Sequence, residues 1–176
     1  MKRIVLIAAA VLSTQFGQAQ FEKFEDLNEV TTVVVNEGMF QLLAGIEVDL
    51  NDPEAQEFKE IVNKLKGIKV LTTANAKIGA EMRDAAMSYQ KQQRLEELMS
   101  VKDQEANIKF YTRNGKKNGH VSELLMVIYD INGMKAADRE VETVVVSIIG
   151  DIDLNKIGSL TGQMNLPKEL NKVNKR

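Results

Sequence analysis

Residues 107–149 read NIKFYTRNGKKNGHVSELLMVIYDINGMKAADREVETVVVSII, and the fold class turns on this stretch. Three runs rich in β-branched and aromatic residues, Asn107–Arg113, Val121–Asp130 and Val141–Ile149, are punctuated by Asn114-Gly115, Asn118-Gly119 and Asn132-Gly133. Asn and Gly tolerate the positive φ of hairpin turns, so the three runs are expected to be strands that pair antiparallel with one another. The last is the most apolar. Its Val144, Val145, Val146, Ile148 and Ile149 are nearly continuous, as suits a central strand covered on both faces.

Upstream, Val30–Val35 (VTTVVV) is too stiff at χ1 to favour helix and reads as a first strand, expected to be buried. Met39, Leu42, Leu43 and Ile46 recur at helical spacing, giving a short helix that ends near Gly45. Asp52-Pro53-Glu54 marks the next helix start, with Asp52 as cap and Pro53 in the first position. Its apolar stripe is Ala55, Phe58, Ile61, Val62 and Leu65, and Gly67 is placed to end it. Ile68–Ala74 is a second strand, followed by a long helix over Lys77–Met99 whose stripe weakens through Gln90–Arg94. Beyond the last strand, Asp151-Ile-Asp153 leads into a short helix carrying Leu154, Ile157, Leu160 and Met164, ended by Pro167. The expected fold is α+β, a mixed, mostly antiparallel sheet of about five strands with helices packed against it. Glu29–Val35 and Glu140–Val146 differ at one position, an echo that valine-rich strands reach without duplication.

The first residues, MKRIVLIAAAVLSTQFGQAQ, have a charged start at Lys2 and Arg3, an apolar core Ile4–Leu12 and a small-x-small site at Gly17-Gln18-Ala19. These are the three parts of a secretory signal peptide. Residues 1–19 are therefore expected to be cleaved, leaving a single domain over 20–166 and a basic tail over 167–176. With no cysteine there is no thiol for lipid attachment and no disulfide, so the fold must hold by its core and the protein is not expected to be a lipoprotein. Loss of Lys2 and Arg3 takes the formal charge from −2 to −4, which argues against nucleic acid as a partner. The apolar core is too short to span a bilayer, and an integral membrane protein is not expected.

Val30–Leu43 (VTTVVVNEGMFQLL), Leu65–Thr73 (LKGIKVLTT) and Val144–Leu160 (VVVSIIGDIDLNKIGSL) together resemble the exported bacterial proteins grouped as domain of unknown function 4252, known chiefly from Bacteroidetes. The resemblance spans nearly the whole mature chain in the same element order. It implies a Gram-negative envelope location, with the periplasm as the default compartment. That family has no established activity, so it lends no catalytic residues.

The chemistry-bearing residues are sparse. A chain with one histidine and no cysteine is poorly equipped for transition metals, and no cofactor is expected. Asp49, Asp52, Asp151 and Asp153 offer oxygen ligands but no EF-hand pattern; Asp52 and Asp153 are read as helix caps and Asp151 as a turn residue. His120 follows Asn118-Gly119, with Ser122 two residues on; it is read as an exposed turn histidine, without a nucleophile elbow around it. Gly158 and Gly162 lie in the last expected helix without a phosphate-binding motif. The reading that follows is a non-enzymatic module that binds an envelope protein, with Lys109, Arg113, Lys116 and Lys117 of the basic hairpin as the first candidate contact surface. A second is a small-molecule or lipid carrier whose pocket is lined by Met39, Phe40, Met82 and Met164. A third is a hydrolase whose paired carboxylates meet only in space.

Overall fold

The computed structural model describes residues 19–45, 53–102, 104–133, 135–136 and 139–154. In chain order the elements are α1 (Ala19–Glu25), β1 (Val30–Asn36), α2 (Glu37–Ala44), α3 (Pro53–Val62), β2 (Leu65–Thr73), α4 (Ala76–Gln93), β3 (Glu96–Lys102), β4 (Asn107–Asn114) and β5 (His120–Tyr129). A two-stranded ribbon of β6 (Lys135–Ala136) and β7 (Arg139–Glu140) precedes β8 (Thr143–Asp153). The six long strands form one sheet in the order β1-β2-β8-β5-β4-β3, antiparallel at every junction. The α+β class and the antiparallel neighbours β4, β5 and β8 are as the turn residues lead one to expect. The sheet carries no parallel pair.

Strand alternation divides the core in two. On one face Leu124, Met126, Ile128 and Val146 pack with Phe40 of α2 and Val62 of α3. On the other, Leu71, Leu125, Val127 and Val145 pack beneath Met82, Ala86 and Tyr89 of α4 and Phe21 and Phe24 of α1. The central strand β8 contributes to both clusters, which is why its valines form an unbroken run. Close approach of α4 depends on Gly79, where a Cβ would stand 2.6 Å from Oγ1 of Thr143.

Several boundaries depart from the sequence reading. Helix α4 stops at Gln93 because Arg94 takes a left-handed conformation (φ 54°) and Leu95 turns into the core, its amide donating to the Gln90 carbonyl at 2.9 Å. Glu96–Met99, read as the end of that helix, belongs instead to strand β3 (Glu96–Lys102), which brings the sheet to six strands. Gly67 does not end α3. It lies inside β2, paired with Asn36 and Ile149. The lead-in before β1 forms α1 and buries Phe21 and Phe24 at the helical spacing i, i+3. Strand β1, expected to be buried, is an edge strand, with Val33 49% and Val34 53% exposed. Asp151 and Asp153, read as a turn residue and a cap, belong to β8, which runs through Asp153. The cap at Asp52, the expected last helix beyond Leu154, Gly158, Gly162 and the tail 167–176 lie outside the described residues.

Candidate interaction surface and buried polar network

Beginning with the basic hairpin, the structure separates the four suspected cations. Lys109 and Arg113 project from β4 on the α4 side of the sheet, the face that also carries Tyr111. Lys109 stands 3.9 Å from Glu97, and the Arg113 guanidinium binds the Glu123 carboxylate at 3.1 Å and the Gln93 side-chain oxygen at 3.1 Å. Lys116 and Lys117 lie exposed in the turn, with Lys117 3.9 Å from Asp151.

Behind Arg113 is a polar group that sequence spacing did not bring together. Glu123, 5% exposed, accepts a hydrogen bond from the Tyr89 hydroxyl at 2.5 Å as well as those from Arg113. The sequence signal was a single acid inside the apolar run VSELLMVIY. Burial, followed by the hydrogen bond to and negative charge of Glu123, holds the Tyr89 hydroxyl far above the usual phenol range. Burial likewise raises Tyr111, whose hydroxyl reaches Sδ of Met87 at 3.3 Å. A folded-state phenol pKa above its unfolded value of about 10 leaves stability intact below that pH and removes it as pH rises toward the folded value, by up to about 1.4 kcal/mol per pH unit for Tyr89, whose shift is large. Denaturant melts from pH 8 to 11 are expected to show that decline. Tyr89→Phe is expected to cost about 2 kcal/mol at neutral pH and to make the alkaline fall shallower; an unchanged slope would place the sensitivity elsewhere.

At the same end of the sheet, Ser122 is an extra residue of β5 relative to β4, and this bulge shifts the alternation by one. Val121 therefore joins the α2 and α3 side, and His120 turns toward β8. Its Nδ1 lies 2.8 Å from Asp151 and its Nε2 3.8 Å from Asp153. The side chain is 15% exposed, so His120 is not the exposed turn residue that was expected. Ser122 turns away from it, donating to the carbonyls of Arg113 and Asn114 at 3.4 and 3.3 Å. Histidine and aspartates thus meet, but the serine does not join them. No cluster of three or more metal-ligating side chains occurs among the described residues.

The methionine-lined pocket is not assembled. Phe40 and Met82 lie in the cores on opposite faces of the sheet, Met39 is exposed, and Met164 is outside the described residues. A groove of about 400 Å³ between α1 and α4 is lined by Gln20, Lys23, Glu81, Asp84, Ala85 and Ser88, a largely polar set.

Exposed large apolar side chains gather elsewhere. Val33 on β1, Met39 and Leu42 on α2 and Phe58 on α3 are 37% to 71% exposed, and α2 touches both β1 and α3. Asn36 builds this corner by capping α2, its side chain accepting from the Met39 amide at 3.1 Å, so the chain turns from edge strand to helix without a loop. The family model described as a domain of unknown function (DUF4252) matches residues 24–160. The chain belongs to this family. The DUF4252 match takes in all six long strands, the corner and the buried Tyr89–Glu123–Arg113 group. No curated protein and no solved structure matches this DUF4252 chain. No described helix is long and apolar enough to cross a membrane.

Proposed function

We propose that this chain is an exported, non-enzymatic protein of the bacterial envelope, periplasmic and not lipidated, that works by binding another protein. The observation that carries the reading is the corner formed by β1, α2 and α3. There Val33, Met39, Leu42 and Phe58 expose apolar surface on touching elements, the pattern of a contact surface rather than of scattered single residues. Lys116 and Lys117 at the hairpin tip supply a separate basic rim, whereas Arg113 is tied to Glu123 and Gln93. The leader-like residues 1–19 support export.

Native mass spectrometry of the protein isolated gently from its own cells tests both halves of the proposal. The expected species starts at Gln20 and carries a stoichiometric protein partner that Leu42→Glu removes and Lys116→Glu weakens less. A chain retaining Met1 overturns export, and a partner insensitive to Leu42→Glu overturns the corner.

A further inference from the structure

We infer that the outer edge of β1 is a docking site for one extended strand of a partner protein, a strand with an uncharged, β-branched centre and a basic residue at each end. This rests on the protein-binding reading above and specifies its mode. The two edges of the sheet differ in kind. Strand β3 carries Glu96, Glu97 and Lys102, and its register with β4 shifts between Glu97 and Met99. Charges and bulges are the usual means by which an edge avoids pairing. Strand β1 has neither: its sequence is VTTVVVN, and its register with β2 runs without a shift from Val30↔Thr73 to Asn36↔Gly67. Its outer amides and carbonyls therefore form a regular row, the template for strand addition. Val33 and Val34 point to opposite faces and are each about half exposed, so an added strand gains apolar contact on both sides.

The ends of the row set the partner's chemistry. Glu29 immediately precedes β1 and Glu37 immediately follows it, and both are exposed. A strand laid along all seven residues brings its termini to these two carboxylates, and because both ends are acidic, basic termini suit either strand direction. The same charges disfavour a second copy of this chain. Two β1 strands paired antiparallel about Val33 would set Glu29 of each against Glu37 of the other, and like charges directly opposite are destabilising.

The experiment uses three labelled nine-residue peptides: KTVTVTVTK, its acid-ended twin ETVTVTVTE, and the basic peptide with alternate backbone amides methylated. Fluorescence anisotropy measures binding to the purified protein and to the Glu29→Lys/Glu37→Lys variant, whose substitutions lie on exposed positions and whose fold is checked by circular dichroism. The basic peptide is expected to bind the parent at least tenfold more tightly than the acidic one, the variant to reverse that order, and methylation to abolish binding to both. Equal affinity for the two peptides, undiminished binding of the methylated one, or no binding of any overturns the inference. So does a concentration-dependent dimer broken by Val33→Lys, which would give the edge to a second copy. Loss of the cellular partner in Leu42→Glu without peptide discrimination leaves the protein-binding reading standing and removes strand addition alone. Discrimination without a cellular partner does the reverse.

Discussion

Gly150→Ala is expected to lower stability by about 3 kcal/mol or more, the sum of a backbone clash and a strained conformation. A Cβ at this position would lie 2.4 Å from the Lys64 carbonyl oxygen and 2.9 Å from Leu65 Cα, both main-chain atoms that cannot rotate away. The residue has φ 157° and pairs with Leu65 beside the point where the β2–β8 register shifts. The neighbouring amide of Asp151 also donates to the Lys64 carbonyl at 2.9 Å, so the clash is directed at a hydrogen bond that fixes the end of the central strand. Urea unfolding followed by circular dichroism measures the cost; a loss under 1 kcal/mol would mean that the bulge relaxes freely. The contact of His120 with Asp151, the next residue of β8, is expected to loosen with it.

Glu123→Leu is expected to cost about 3 kcal/mol, for a different reason. Removing the carboxylate leaves the Tyr89 hydroxyl, on a side chain only 3% exposed, without its acceptor, and an unsatisfied buried group bears its full desolvation penalty. Arg113 loses less, because its side chain is 43% exposed and water takes the place of the acid. The double substitution Glu123→Leu/Tyr89→Phe removes donor and acceptor together and is expected to recover about 1 kcal/mol relative to additivity. Strict additivity in a double-mutant cycle would show that the two side chains do not act as a unit.

What could be read from the chain followed the range of each signal. Turn residues act locally, so Asn114-Gly115 and Asn132-Gly133 sufficed to make β4, β5 and β8 antiparallel neighbours. The continuous apolarity of Val144–Ile149 correctly placed β8 inside the sheet. Yet Val33-Val34-Val35 has the same composition as Val144-Val145-Val146, and the first lies at an edge while the second is largely covered. Composition cannot separate these cases, because burial depends on which strands arrive on either side. The end of α4 was hidden for another reason: Leu95, Leu98 and Met99 fit helical spacing, and an arginine in the left-handed region announces nothing in sequence. As for the site, Arg113 was singled out for its charge, but its partners Tyr89 and Glu123 come from α4 and β5, and only the β4–β5 register and the seating of the helix join them. The corner was missed because its apolar residues read as core, whereas exposure is a property of the assembled surface.

The unequal edges also govern how far assembly can go. A sheet that is receptive on both sides can propagate, each added chain offering a fresh margin to the next, and the product is a filament. Here one margin is neutral and regular while the other carries Glu96, Glu97 and Lys102. Addition at β1 would occupy the one margin of this kind among the described residues of the six-stranded sheet, so growth would end after a single step with one partner per chain.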